Sequence, residues 1–323
     1  MRLQFDHFFP RAKSAVRFLA SGLVAIIFIL EGSQAAETPA AKQKSYAVKA
    51  LRDLSYNDAP DAHKTKHRLD LFLPKDAKDF PVLFFVHGGG WRHGDKDFLG
   101  IYSALGTMFA EHGIGAVIIN YRLSPEVMHP EHIKDVAKAF AWTYKNIASY
   151  GGRADEIFVS GHSAGGHLVS LLVTDDRFLK AEGLKPDVIK GVLPISGVYE
   201  PLPDKMFQGV FGKDPEERKK AFPINHVHQG LPPFLILYGD HDFPGCDKMS
   251  CDFAKSLKEN KDDVNAVEVS KRNHFSILTS LPADNDPVAK AMLDFIVSHS
   301  ESEMSGKKAG EANTKTSDTL KKP

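Results

Sequence analysis

Short apolar runs alternate along the chain with longer stretches in which apolar residues recur every three or four positions. The short runs predict buried strands, and the longer stretches predict helices that cover a sheet. The predicted strands are 68–73, 82–86, 116–120, 157–160, 191–195, 234–238 and 266–269. The predicted helices are 133–149, 164–173, 249–258 and 288–298. This alternation predicts an α/β fold with a mostly parallel central sheet and helices on both faces.

The predicted elements all lie in one stretch of the 323-residue chain. That stretch, residues 45–300, has the size of one catalytic domain, and no linker or internal repeat divides it. Between the strands at 191–195 and 234–238, residues 200–232 are rich in charges and prolines and are short for a lid. We therefore expect a minimal cap. Residues 301–323 are polar without apolar periodicity, which predicts a disordered tail.

The first 36 residues have the pattern of a secretory signal peptide. Four basic residues precede an uncharged apolar run at 18–30, and a stretch with small residues follows at 33–36. The run is shorter than the roughly 20 residues that span a bilayer. It predicts cleavage after Ala35 or Ala36, export to the periplasm or the medium, and no stable membrane insertion afterwards. An uncleaved membrane anchor is the alternative, because the basic segment before the run is long.

Charge and cysteine content bear on the expected partners and on a possible disulfide. Lys+Arg and Asp+Glu both number 41, so the chain lacks the basic field that attracts nucleic acid, and we expect no nucleic-acid partner. The two cysteines are Cys246 and Cys251. In an oxidising compartment they can form a disulfide, provided that Cys246 lies in the turn before a helix. Two unpaired thiols are the alternative.

The string G-H-S-A-G at 161–165 directly follows the strand at 157–160 and precedes a helix. A strand-to-helix turn this sharp needs small residues two positions before and two positions after the serine. The turn exposes the serine hydroxyl and directs the helix N-terminus at a developing oxyanion. We therefore predict that Ser163 is a nucleophile. An ordinary glycine-rich turn is the alternative.

A second glycine-rich string, H-G-G-G-W at 87–91, ends the strand at 82–86. Glycines allow backbone amides to approach a carbonyl oxygen without obstruction by Cβ atoms. We assign the oxyanion hole to the amides of Gly89, Gly90 and Ala164, with Gly88 as the neighbouring alternative.

A serine nucleophile needs a general base, and in this arrangement the base comes from late in the chain. His274 follows the last predicted strand, so it lies at the sheet edge that carries Ser163. The orienting carboxylate is expected at the end of the preceding strand, where Asp240 and Asp242 stand. Asp242 lies further into the loop and is favoured, with Asp240 as the alternative. The order Ser163, Asp242, His274 is the order that hydrolases with such a turn use.

These motifs together resemble the esterase and kynurenine formamidase branch of the α/β-hydrolase superfamily. The resemblance spans most of residues 46–300 and rests on HGGGW at 87–91, SGHSAGGHL at 160–168, SGVY at 196–199, LYGDHD at 237–242 and NHFS at 273–276. It implies the α/β-hydrolase fold, a serine–histidine–aspartate triad and oxyanion amides from the HGG loop. Formamidases of this branch usually carry an aromatic residue where Gly90 stands. The chain departs there toward the HGGGW pattern of carboxylesterases.

The resemblance and the short cap predict an exported serine carboxylesterase for small, soluble esters. Trp91 and Tyr199 are candidate substrate contacts in the acyl or leaving-group pocket, with simple packing as the alternative for each. The alternatives are kynurenine formamidase and an esterase of acetylated or feruloylated polysaccharides, followed by a non-catalytic binding protein with the same fold. A metal-dependent hydrolase is disfavoured, because H-E-x-x-H and paired Cys/His spacings are absent. The consecutive residues 240–242 cannot all converge on one cation. We therefore predict no metal and no cofactor.

Overall fold

The computed structural model describes residues 45–201 and 207–314. The predicted signal peptide at 1–36 and the last part of the predicted tail, 315–323, lie outside the described residues, so both stay predictions. Within the described part, no helix is long and apolar enough to cross a membrane.

The described strands are β1 (Val48–Ser55), β2 (Arg68–Pro74), β3 (Phe80–Val86), β4 (Gly115–Ile119), β5 (Gly152–His162), β6 (Ile189–Ile195), β7 (Phe234–His241) and β8 (Val264–Asn273). They pair into one eight-stranded sheet in the order β1-β2-β4-β3-β5-β6-β7-β8. β2 is antiparallel to β1 and β4, and all other neighbours are parallel. Each of the seven predicted strands overlaps one of these strands.

Helices cover both faces of the sheet. The described helices are α1 (Ile101–Glu111), α2 (Glu131–Asn146), α3 (Ala164–Thr174), α4 (Arg177–Ala181), α5 (Gln208–Phe211), α6 (Pro215–Lys219), α7 (Cys246–Glu259), α8 (Ser276–Thr279) and α9 (Pro287–Thr314). On β3, Val82, Phe84 and Val86 pack in one buried layer with α2, α3 and α7, whereas Leu83 and Phe85 pack in the other layer with α1 and α9. This division follows from the two-residue period of a strand, and it confirms the predicted fold class.

Six elements were not predicted: β1, α1 and the short helices α4, α5, α6 and α8. β1 is an edge strand whose residues are half-buried or exposed, so it lacks an apolar run. α1 is apolar over most of its surface, so no single apolar stripe marks it. Its Gly106 lies against the ring of Phe72 on β2, where a Cβ atom would come within 2.5 Å of the ring. Close approach of helix and sheet therefore requires this glycine.

The last helix extends further than the sequence predicted. α9 continues to Thr314, through residues 301–314 that were expected to be disordered. Glu, Lys and Ala are frequent in that segment, and these residue types favour helices even where they leave no apolar face. Polar composition alone was therefore a poor guide to the end of the helix.

The segment between β6 and β7 forms a short cap, as expected. Its described part contains α5, α6 and one 3₁₀ turn. Phe211 is buried against the ring of Trp91, with the ring centroids 4.8 Å apart, and Phe222 is buried against His167, with the centroids 5.3 Å apart. The cap is thus packed onto the glycine-rich loop and α3.

Candidate active site

Ser163 stands at a strained turn between β5 and α3. Its backbone has φ 56° and ψ −116°, a conformation that L-residues adopt rarely. A Cβ atom at Gly161 would lie 2.5 Å from the carbonyl of Gly165, and a Cβ atom at Gly165 would lie 2.0 Å from the carbonyl oxygen of Val86. A side chain at either position would collide with the backbone, so the turn requires both glycines of the G-x-S-x-G string. The Ser163 side chain is half-buried, whereas its neighbours on both sides are buried.

Asp242 and His274 come together because their strands are parallel neighbours. β7 and β8 pair His241 with Asn273, so the next residue of each strand enters the same space. His274 Nδ1 donates a hydrogen bond of 2.6 Å to Asp242 Oδ1. The other carboxylate oxygen accepts a bond of 2.5 Å from the Ser196 hydroxyl. The remaining alternative, Asp240, is exposed and bonded instead to His241 Nδ1.

The carboxylate of Asp242 is held in its ionised form. Burial raises its pKa, but hydrogen bonds from His274 and Ser196, the charge of His274 and the amide of Phe243 together lower the pKa to about 2. An ionised carboxylate accepts a hydrogen bond from Nδ1–H of His274, which leaves Nε2 of that imidazole as the basic nitrogen.

His162 connects the serine turn to the loop that carries His274. Its Nε2 donates a hydrogen bond of 2.7 Å to the main-chain oxygen of His274, and the two ring centroids lie 4.7 Å apart. Burial, together with the charge of His274, lowers the pKa of His162 to about 3, so His162 is neutral at physiological pH. Among the described residues, no hydrogen bond joins the Ser163 hydroxyl to His274. In catalytic sites such a bond often tightens only when substrate binds.

The glycine-rich loop lies directly against the serine. A Cβ atom at Gly88 would be 3.2 Å from the Cβ atom of Ser163, and the Gly88 amide donates a bond of 3.2 Å to the Tyr102 hydroxyl. In the described part of the chain, the amides of Gly89 and Gly90 donate no hydrogen bond. The amide of Ala164, the first residue of α3, has no acceptor within the helix. The three predicted oxyanion donors thus keep their N–H groups available, whereas Gly88 does not.

Of the two alternatives for Trp91 and Tyr199, substrate contact or packing, the structure favours packing. Trp91 is 1% exposed, and its Nε1 donates a hydrogen bond of 3.2 Å to His167 Nδ1. Tyr199 is fully buried and stacks on Phe253, with the ring centroids 4.4 Å apart. Both rings are packing residues, because neither presents a surface to solvent.

The two cysteines lie on α7 and are both free thiols. Cys246 is buried and Cys251 is exposed. Of the two alternatives, the structure has unpaired thiols. A disulfide would need Cys246 to lie in the turn before the helix, whereas it is the first residue of α7.

Sequence reasoning missed three polar residues of the site. They are Ser196, which supports Asp242, His162, which supports the His274 loop, and Tyr102, which binds Gly88. Ser196 directly follows β6, and its place at the carboxyl end of a central strand was the available signal. Tyr102 lies on the unpredicted α1 and had no such signal.

Comparison with known proteins identifies the fold that carries this site. A family model described as BD-FAE matches residues 69–187. A truncated carbohydrate esterase from gut microbiota has a similar structure, with a TM-score of 0.67 at 21% sequence identity over 81% of this chain and 99% of that one. The chain therefore has the α/β-hydrolase fold that the motifs implied.

The sequence relatives narrow the resemblance to esterases. The probable carboxylic ester hydrolase LipM of Mycobacterium tuberculosis is 32% identical over 73% of this chain and 59% of LipM. Esterase LipC of the same organism is 32% identical over 76% of this chain and 64% of LipC. The sequence is thus similar to the carboxylesterase branch of the fold. The chain spans less than two thirds of the length of either relative.

Proposed function

We propose that this protein is a serine carboxylesterase that hydrolyses small, soluble carboxylic esters through an acyl-enzyme. The observation that carries the proposal is the Asp242–His274 hydrogen bond of 2.6 Å beside the strained turn at Ser163. A nucleophile, a base and a group that orients the base are the three roles that acyl transfer to serine requires. Resemblance to LipM and LipC supports the ester as the reacting bond.

In the first half of the reaction, the Ser163 oxygen attacks the ester carbonyl carbon while Nε2 of His274 takes the hydroxyl proton. Asp242 keeps Nδ1 protonated and stabilises the imidazolium that forms. The carbonyl oxygen becomes an oxyanion and accepts hydrogen bonds from the amides of Gly89, Gly90 and Ala164. The intermediate collapses, the C–O bond to the alcohol breaks, and His274 returns its proton to the departing oxygen.

In the second half, water replaces the alcohol. His274 takes a proton from the water, the resulting hydroxide attacks the acyl carbon, and the second oxyanion collapses with release of Ser163. The proton on His274 passes to the serine oxygen. The products are one carboxylic acid and one alcohol, and no external oxidant, reductant or metal enters the balance.

Substrate size and export form part of the same proposal. The cap between β6 and β7 is short and packed onto Trp91, which supports small, accessible esters over long-chain lipids. Export rests on the sequence of residues 1–36. N-terminal sequencing of the protein produced with its native leader tests it, and we expect a mature chain that begins near Ala36 or Glu37. Met1 on the soluble protein would contradict export.

Steady-state kinetics with p-nitrophenyl esters of graded acyl length, set beside N-formylkynurenine, tests the activity. We expect the highest kcat/KM with acetate or butyrate, little activity on long chains and no effect of EDTA. Ser163→Ala is expected to lower kcat by at least about 10⁴-fold, because the oxyanion amides alone give only residual catalysis. Ser149→Ala, at an exposed serine on a distant turn, is the matched control and keeps wild-type kcat. A clear preference for N-formylkynurenine, or loss of activity in EDTA that Zn²⁺ restores, would contradict the proposal.

A further inference from the structure

Two phenyl rings flank His274. Phe243 stacks on the imidazole, with ring centroids 4.1 Å apart and an interplanar angle of 24°. Phe275 meets the imidazole edge-on at 5.5 Å and 89°. The two phenyl rings contact each other at 6.0 Å and 86°. The candidate base is thus bordered by an aromatic pair that the triad itself does not require.

Both rings are exposed to solvent. Phe243 is 55% exposed and Phe275 is 63% exposed, whereas His274 between them is 7% exposed. Exposed apolar side chains that form a contiguous patch mark binding surfaces more often than isolated ones do. Burial therefore does not account for these rings, and their exposed faces are open to a ligand.

The same turns that hold the triad also hold the rings. The amide of Phe243 donates a hydrogen bond of 2.7 Å to Asp242 Oδ1, and the amide of Phe275 donates one of 3.0 Å to Asn273 Oδ1. The backbone that carries the two rings is thereby held beside His274. A pre-positioned surface binds a ligand with less loss of conformational entropy than a mobile one.

The chemistry of the proposed reaction indicates which half of the substrate lies beside Phe243 and Phe275. His274 returns its proton to the oxygen of the departing alcohol, so that oxygen must come within hydrogen-bond distance of Nε2. The carbonyl oxygen points elsewhere, at the amides of Gly89, Gly90 and Ala164. The alcohol half of the ester therefore extends past His274 and meets the rings beside it.

We infer that Phe243 and Phe275 form a leaving-group subsite for an alcohol that carries a ring with a flat apolar face, either a phenyl or a pyranose ring. This inference rests on the proposed esterase function and names the class of alcohol that it takes. Phenyl rings stack on other aromatic rings and on the C–H face of a sugar, and they offer no charge for an ionic alcohol. The subsite selects among esters by the alcohol and is indifferent to the acyl group.

Competition between acetate esters tests the subsite. The measured quantity is kcat/KM for 2-phenylethyl acetate divided by kcat/KM for propyl acetate, two esters with the same acyl group and alcohols of similar acidity. A second arm replaces 2-phenylethyl acetate with an acetylated methyl xyloside. The variants are Phe243→Leu and Phe275→Leu, which stay apolar but lose the flat ring, and Phe275→Trp, which keeps one. Phe98→Leu is the matched control, because Phe98 is 51% exposed and has no recorded ring contact with His274.

We expect each Leu variant at 243 and 275 to lower the ratio by about 3- to 10-fold in one arm or in both, as expected for a lost aromatic contact. The arm that responds identifies the ring as aryl or sugar. Phe275→Trp and Phe98→Leu keep the wild-type ratio. General damage to His274 lowers both members of a ratio equally and so leaves it unchanged.

Three results would overturn the subsite. One is a ratio that neither Leu variant changes in either arm, and another is a shift of the same size in Phe98→Leu. The third is a change in the propyl butyrate to propyl acetate ratio in place of the alcohol ratio, which would put the rings on the acyl side. If the wild-type protein hydrolyses none of these esters, the proposed function itself fails, and that outcome is distinct from the other three.

Discussion

His162 is hydrogen bonded through its ring to the main chain of His274, with 2.7 Å between Nε2 and the carbonyl oxygen. A carbonyl oxygen only accepts, so Nε2 carries the proton, and burial with a pKa lowered to about 3 keeps the ring neutral. The residue before the nucleophile is thereby tied to the loop of the candidate base. His162 is a positioning residue, since it acts through His274.

Removal of this donor tests that role. His162→Leu is expected to lower kcat about tenfold, because a lost buried hydrogen bond costs on the order of 1–2 kcal/mol. KM is expected to stay nearly unchanged, because His162 is buried. His162→Gln keeps an N–H donor and is expected to recover most of the loss. Equal kcat values for the Leu and Gln variants would show that the hydrogen bond does not position His274.

The two neighbouring carboxylates offer a matched comparison. Asp242→Asn is expected to lower kcat by about 10³- to 10⁴-fold, since the amide can no longer hold Nδ1 of His274 protonated and ionically paired. Asp240→Asn is expected to change kcat by less than about threefold, because Asp240 is bonded to His241 and to the main chain of Arg272. The reverse result would assign the orienting role to Asp240.

Gly165 lies so close to Val86 that a larger residue at position 165 is expected to destabilise the fold. Gly165→Ala puts a Cβ atom 2.0 Å from the Val86 carbonyl oxygen, and we expect the free energy of unfolding to fall by about 3 kcal/mol or more. Gly90→Ala is the comparison, since no atom lies within 4 Å of its Cβ position. Only its φ of 61° opposes the change, at a cost of about 1–2 kcal/mol. Urea unfolding of both variants measures the difference, and equal losses would contradict the geometry.

Neutral histidines that are buried or half-buried predict acid sensitivity. The unfolded chain takes up a proton on each histidine below pH 6.5, but the folded chain does so only near pH 4 to 3. Unfolding therefore binds protons in this window, so stability falls as pH decreases from 6.5 to about 4, by up to about 1.4 kcal/mol per pH unit for each group. Burial is the main cause of the lowered pKa values, which are about 4 for His87, His129 and His132 and about 3 for His162 and His167.

Urea unfolding between pH 7 and 4.5 measures that slope. His129→Leu is expected to reduce the number of protons bound on unfolding by about one and so to make the dependence of the unfolding free energy on pH shallower. The reason is that the His129 ring packs against Phe178 and Phe211 and its pKa is lowered to about 4. Gln229→Ala, at an exposed position with a side chain that does not titrate, leaves the slope unchanged. Stability that is flat across this range would show that the histidines are not the source of acid sensitivity.

Sequence pattern predicted the central strands and the helices with one apolar face, because burial on a sheet imposes a regular alternation. It failed for α1, which is apolar on most sides, and for the end of α9, where polar helix formers look like a disordered segment. It placed Asp242 and His274 at adjacent strand ends, where the structure has them. It could not foresee that Trp91 is buried, because pattern does not say which face of a loop is covered by the cap.

Covalent capture of the nucleophile tests the central claim most directly. The protein is incubated with ethyl p-nitrophenyl methylphosphonate. An activated serine oxygen attacks phosphorus, the bond to p-nitrophenolate breaks, and a stable phosphonyl group stays on the serine. Intact mass and peptide mapping then locate the adduct. We expect one adduct per chain, located on Ser163, with matching loss of esterase activity. Ser163→Ala is expected to form no adduct, and Asp242→Asn is expected to form the adduct only slowly. Complete inactivation with the label on another residue, or full activity in a protein labelled at Ser163, would contradict the account.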